Sequence, residues 1–375
     1  MVKDKLNNIE LKKINRHRIF QLMYQTEKLS KQEIAVALNM SLPTISQNIR
    51  SLEEEGLIKK VGTLESTGGR KPEAITFNSS ARYSVGLDIS SDFIVPVIVD
   101  LCGNLVVSEK VSITFSESDA YFKQVGQIID NLILRSGIEC SKVLGVGIAV
   151  PAIVSEDKRS ICHTSILGFA NGTSEHFARF IPYPCELCND ANAGGIAELW
   201  IEEGCENAIY ISLNNTIGGA ILFNNQLYLG ENQRSGEFGH ITLINDGRSC
   251  YCGQRGCVDS YCSASILSNT ANGNLDDFFK LVRQGSVHHV NLWREYLEHL
   301  AITVNNLRMV FDCNVILGGY VGVYMDEHLD LLRKIISDRE TYESSGLYIQ
   351  ACRYKIHATA VGAALVFIER FLKDV

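Results

Sequence analysis

Four residues have the types and spacing of a metal-binding set: His240, Cys250, Cys252 and Cys257, in the pattern H-x9-C-x-C-x4-C. One imidazole and three thiolates suit a tetrahedral Zn2+ ion, and four protein ligands leave no open position for a reacting molecule. The chemistry therefore predicts one structural zinc ion per chain, with reduced, buried thiols as the alternative. Gly247, Gly253 and Gly256 supply turns that bring the donors together. The chain has 12 cysteines. Cys102, Cys140, Cys162, Cys205, Cys313 and Cys352 stand singly in apolar runs and read as small buried hydrophobes. Cys185 and Cys188 form a C-x-x-C within an apolar run. On a strand, positions three apart face opposite sides, which argues against a shared redox or metal role.

A different chemistry stands near the start of the chain. Thr44, Gln47, Asn48 and Ser51, with Arg50 beside them, lie opposite an apolar stripe of Ile45, Ile49 and Leu52. A helix of that design packs one face on its own domain and lays the other in the DNA major groove. There Gln and Asn pair with adenine, and Arg pairs with guanine or phosphate. Residues 14–26, with Ile19, Leu22 and Met23 on one stripe, predict a first helix. Ser30 and Glu33 form a capping box ahead of Ile34, Ala35 and Leu38. Ser41 is an N-cap, Pro43 lies in the first turn, and Gly56 ends the polar-faced helix. Two extended pieces, 57–61 and 74–77, flank a polar loop. Three short helices and a hairpin make a winged helix-turn-helix DNA-binding domain over residues 1–78. Arg16, Arg18, Lys59 and Lys60 are expected to neutralise phosphates. Arg70 either enters a minor groove or belongs to a flexible wing tip.

The 375 residues are 46% apolar and 21% charged, which excludes a disordered chain and predicts two or three domains. No run is apolar enough to span a membrane, and the polar, basic start lacks a signal core, so a cytoplasmic protein is expected. Net charge is −8, yet residues 1–80 hold 13 Lys and Arg against 9 Asp and Glu. A basic end on an acidic body suits an arm that faces nucleic acid. Beyond Tyr83 the pattern predicts strands at 84–89, 94–100, 105–115, 143–150, 184–188, 208–213, 220–223 and 315–317. Helices are predicted at 121–136 and 191–203, with a final amphipathic helix at 358–372. This is an α/β body over residues 79–375, with two lobes around a cleft. One lobe takes about 79–188 plus the C-terminal helix, the other about 189–357. Periodicity secures no internal repeat.

Within the body, Asn189-Asp190-Ala191-Asn192-Ala193, Gly236-Glu237-Phe238-Gly239-His240 and the string from Cys250 through Gly253, Gly256 and Cys257 to Asp259 resemble the ROK family of repressors, open reading frames and kinases. These are sugar-kinase relatives of the actin/hexokinase fold. The resemblance covers about residues 80–375, and the winged helix ahead of it is similar to the xylose- and N-acetylglucosamine-repressor branch. It implies that Asn189, Asp190, Glu237, His240 and Asp259 bind a sugar. It also implies that Asp190 stands where the family's kinases keep their base, and that the zinc holds the loop bearing the sugar ligands. The family usually has Glu at Asp259 and Asn at Ser165, so the resemblance implies an altered or diminished sugar specificity.

Phosphoryl transfer needs backbone amides that approach phosphate closely, hence glycine-rich turns. At the matching turns this chain has Asp88-Ile89-Ser90-Ser91-Asp92, Asn214-Asn215-Thr216-Ile217-Gly218 and Gly318-Gly319-Tyr320, with side chains in place of several glycines. The expectation is a regulator rather than an enzyme: a transcriptional repressor that binds a double-stranded DNA operator as a homodimer or tetramer and answers to a sugar or sugar derivative. The alternatives are an ATP-dependent sugar kinase with a DNA-binding arm, and a constitutive DNA binder with a degenerate sugar cleft.

Overall fold

A computed structural model describes residues 8–64, 71–164, 166–201, 206–339 and 345–375. It opens with α1 (Asn8–Gln25), α2 (Lys31–Leu38) and α3 (Leu42–Glu54), followed by the antiparallel pair β1 (Ile58–Thr63) and β2 (Glu73–Phe77). The expected capping box is formed: the Glu33 amide donates to Ser30 Oγ, and the Ser30 amide donates to the Glu33 carboxylate. Ser41 caps α3 by accepting from the Thr44 amide.

The body continues with β3 (Tyr83–Ile89), β4 (Phe93–Asp100), β5 (Leu105–Ser108), β6 (Val111–Ser112), α4 (Asp119–Ser136) and β7 (Val143–Val150). Then come β8 (Ile153–Val154), β9 (Ile161–His163), α5 (Ser174–Ala178), β10 (Cys185–Asn189) and α6 (Asp190–Ile201). The second half holds β11 (Ala208–Leu213), β12 (Ile217–Phe223), β13 (Gln226–Tyr228), α7 (Asp259–Cys262), α8 (Ala264–Ser268), α9 (Leu275–Arg283) and α10 (Val287–Phe311). It ends with β14 (Asn314–Gly318), α11 (Gly319–Gly322), α12 (Leu329–Ser337), β15 (Ile349–Ala351) and α13 (Ala358–Asp374). The strand expected at 105–115 is two pieces, β5 and β6, which both pair with β4 on either side of Glu109-Lys110.

The two main sheets share one plan. The first runs β10-β7-β3-β4-β5 and the second β13-β12-β11-β14-β15. In each, an antiparallel three-stranded meander (β3-β4-β5 or β11-β12-β13) carries two parallel strands beside its first strand. This structural repeat escapes the sequence because a sheet needs only apolar residues at buried positions, not the same residues.

The helices that end the two halves change partners. α6 follows the first sheet but packs on β11 and β12, while α13 follows the second sheet and packs on β3 and β7. They cross each other with backbones in contact. A methyl group on Gly362 would lie 1.7 Å from the Ala193 carbonyl oxygen, and one on Gly147 would lie 1.9 Å from that of Ala363. Only hydrogen fits at such approaches. The final helix forms where the sequence predicts it, and residues 358–368 are all buried. Sheet, α6 and the winged helix together enclose it, and one apolar core joins Ile19, Phe20 and Met23 of α1 to Val97, Leu365 and Ile368. Among the described residues no helix is long and apolar enough to cross a membrane.

Replacing Gly362 by Ala forces α13 off α6 and is expected to destabilise the fold by the upper part of the about 1–3 kcal/mol range for overpacking. Thermal unfolding checks this, and an unchanged melting temperature would show that the crossing can relax.

Candidate functional site

A cavity of about 470 Å³ opens between the halves, lined among others by Asn189, Asp190, Thr216, Glu237, His240 and Tyr251. The strand-to-helix junction places the first two. Asn189 ends β10, where its amide donates to the Ala152 carbonyl at 3.1 Å and its oxygen accepts from the Asn192 amide at 2.9 Å. Asp190 then starts α6. Burial pushes its carboxyl up to about 6, backbone amides draw it down, and Glu237 raises it. An array of carboxylate and amide groups on one cavity can take hydroxyl protons from a polyol and donate back to its oxygens. Asp259 is buried beside His240, and one of its carboxylate oxygens accepts from the Ile217 amide at 2.7 Å, which ties down the start of β12. Ser165 lies outside the described residues. Thr216, Arg234 and Tyr251 line the cavity and were not singled out for it from the sequence. Tyr251 alone carried a signal, as the residue between two cluster thiols.

His240, Cys250, Cys252 and Cys257 form one cluster, with all four donor atoms within 4.8 Å of one another. The Cys252 and Cys257 sulfurs are 3.8 Å apart, and Cys250 Sγ is 3.9 Å from His240 Nδ1. Zinc–sulfur bonds of about 2.3 Å at tetrahedral angles place sulfurs about 3.8 Å apart, so the donor set fits a metal ion. The loop closes through Cys250 amide to Gln254 carbonyl (2.8 Å) and Gly253 amide to Cys250 carbonyl (3.0 Å). Gly253 sits at φ +87°, a left-handed turn that favours glycine.

Behind Asp190 lies a second carboxyl. Asp88, one residue before the end of β3, is pushed up to about 7 by burial and then by Asp190, with Lys110 opposing. The turn after it satisfies itself: the Phe93 amide donates to Ser90 Oγ at 3.2 Å, and Ser90 Oγ donates to the Phe93 carbonyl at 3.0 Å. Across the cleft the Tyr320 amide donates to Asn214 Oδ1 at 2.8 Å, and the Tyr320 ring lies 5.7 Å from that of Phe93. Burial, then Asp88 and Asp190, hold the Tyr320 phenol well above its ordinary pKa. An aromatic side chain thus stands where the two halves face each other beside the carboxyl pair.

On the winged helix, Gln47 and Arg50 are exposed and Thr44 half-buried. Asn48 is a correction. It is 3% exposed and its amide donates to the Thr44 carbonyl at 2.8 Å, because it falls between Ile45 and Ile49 on the inner face. Ser51 accepts from Arg16 at 2.7 Å, and Arg16 also pairs with Glu55 at 2.6 Å. Arg16 is spent on joining α1 to α3 rather than left for phosphates. Lys60 is likewise paired, 3.3 Å from Glu73. Arg50 pairs with Glu54 at 2.9 Å and keeps its exposure. Ser46, half-buried beside Gln47, shares a groove with Lys31 and Gln32 and was missed from the sequence. Arg70 lies outside the described residues.

The ROK family profile matches residues 84–370, and a winged helix-turn-helix DNA-binding profile matches residues 13–59. The xylose repressor of Bacillus subtilis (strain 168) is 25% identical over 96% of this chain and 97% of its own. The DNA-binding transcriptional dual regulator NagC of Escherichia coli (strain K12) is 23% identical over 70% of this chain and 66% of its own. Among solved structures, a ROK family transcriptional regulator described as a homologue of the Escherichia coli MLC protein has a TM-score of 0.73 and 18% identity, covering 97% of both chains. A ROK family glucokinase from Streptomyces griseus, solved with glucose and AMPPNP, has a TM-score of 0.64 and 24% identity, covering 76% of this chain and 98% of its own.

Burial lifts the Asp88 carboxyl from 3.8 to about 7, so the folded protein holds a proton that the unfolded chain has released. Stability therefore falls as pH rises through that window and stays reduced above it. Asp88→Asn is expected to raise the melting temperature more at pH 8 than at pH 5. An equal shift at both values would mean that Asp88 is ionised in the fold throughout.

Proposed function

The chain belongs to the ROK family, and on that premise we propose that it is a DNA-binding transcriptional repressor whose cleft binds a sugar or sugar derivative. The observation that carries the reading is the shared core. The winged helix is packed into the same apolar cluster as α13, in a chain aligned over nearly its whole length with a xylose repressor. Residues 1–78 form the DNA-binding domain and residues 79–375 the sensing domain. Gln47, Thr44 and Arg50 meet the operator; Asn189, Asp190 and Glu237 take the sugar hydroxyls. His240, Cys250, Cys252 and Cys257 hold one structural Zn2+, which when bound ties the Glu237 segment to the 250–257 loop. Paired half-sites favour a homodimer acting in the cytoplasm. Catalysis is not part of this reading. Ser90 occupies its own turn's amides and Tyr320 stands in the cleft, which leaves little room for a triphosphate.

The coupling runs through one turn. Leu101, Cys102 and Gly103 offer successive carbonyls to Tyr24 of α1 (3.5 Å), Trp200 of α6 (3.0 Å) and Tyr354 (2.8 Å). α6 starts at Asp190 in the cavity and carries Trp200 near its other end, so a ligand that tilts α6 moves the turn that holds α1. Arg16 passes that motion from α1 to α3. The sugar must bind the two arrangements with different affinity for the switch to work.

In a gel-shift assay one sugar from a pentose and hexose panel is expected to release the operator, and Gln47→Ala to relax base preference by about 1–3 kcal/mol at one position. Unchanged selectivity would remove α3 from this role, and no response to the panel would favour a degenerate cleft. Trp200→Phe is expected to leave sugar and operator affinities near wild type while shrinking the sugar's effect on operator affinity several-fold. Full coupling in that variant would exclude the turn as the route.

A further inference from the structure

Resting on the reading of the cleft as an effector site, we infer that Tyr251 is a specificity-determining residue, whose phenol walls the cavity and donates to the sugar from a position set by His240. Cys250 and Cys252 belong to the thiol cluster, and Tyr251 between them turns to the cavity, where it is 51% exposed. Its hydroxyl lies 3.2 Å from His240 Nε2, and the two rings stand 5.3 Å apart at 66°. The other nitrogen of that imidazole, Nδ1, is the one beside Cys250 Sγ. An imidazole that gives Nδ1 to a metal carries its proton on Nε2. Nε2 then donates to the Tyr251 oxygen, and the phenol proton is free to point at a ligand. The cluster thereby does more than brace a loop: it fixes which way Tyr251 donates.

The rest of the cavity says what the phenol is for. Asp190 and Glu237 accept from hydroxyls, and the polyol's own oxygens take donors from the cavity wall, where Thr216 and Arg234 also stand. Tyr251 supplies one, together with a ring face suited to the C–H side of a pyranose. The same ring takes volume from the cavity next to His240. The class of ligand that fits is an unsubstituted aldose, and a sugar bearing an N-acetyl group on the carbon facing Tyr251 meets the ring.

The test uses the full chain, isothermal titration, and three probes: D-xylose, D-glucose and N-acetylglucosamine. The wild type is expected to bind an unsubstituted aldose in preference to N-acetylglucosamine. Tyr251→Phe, which keeps the ring and loses the hydroxyl, should weaken the aldose about tenfold with metal content unchanged. Tyr251→Ala should shift the ratio of N-acetylglucosamine to aldose affinity upward by at least tenfold, also with metal retained. Wild-type affinities and ratios in both variants would overturn the role of Tyr251 while leaving the effector reading intact. A wild type that binds N-acetylglucosamine best would overturn the size argument. A wild type that binds none of the three would overturn the effector reading, and this inference with it.

Discussion

Two helices cross with their backbones touching, Gly362 against the Ala193 carbonyl, and each lies on the sheet that the other follows. That contact holds the two halves of the body at a set distance. It puts the N-terminus of α6 at the mouth of the cleft, so Asn189 and Asp190 are presented from a rigid junction. It also carries the C-terminal part of α6 to the turn at 101–103, about 18 Å away along a 12-residue helix.

The cleft keeps acidic chemistry in a place where charge is costly. Asp88 and Asp190 share a poorly solvated space, and each is lifted toward neutrality mainly by burial. Here Ser90 satisfies its own turn, and Tyr320 packs toward Phe93 from the other half. Filling such space with an aromatic ring supplies dispersion contacts across the cleft that an open nucleotide pocket would lack. The halves thus meet through protein atoms.

The DNA-binding end is built into the body rather than hung from it. Its core residues are continuous with those around α13, and Arg16 links α1 to α3 while its Nε approaches the Val375 carbonyl at 3.4 Å. A half-exposed ion pair such as Arg16–Glu55 contributes only about 0.2–1 kcal/mol. Its importance is geometric, since it fixes the angle of α3 against the element that touches the body. The charge that seemed from the sequence to belong to phosphate is used to hold α3 in place.

Local signals were legible because they rest on short-range physics. The capping box at Ser30 and Glu33, the N-cap at Ser41, the buried run 143–150 and the spacing of His240 with three cysteines each express interactions within a few residues or a fixed ligand geometry. Composition and these motifs together determined the winged helix, the α/β body and the donor set. Tertiary structure alone decided the rest. Helical spacing could not tell whether Asn48 faced inward, since it lies at the edge of the apolar stripe and its burial depends on α1 and α2. The bond from the Ile217 amide to the Asp259 carboxylate joins residues 42 apart, which no local pattern announces. The repeat of the two sheets, the burial of α13 and the approach of Tyr251 to His240 are products of long-range packing, whose contacts leave no periodic trace in the chain.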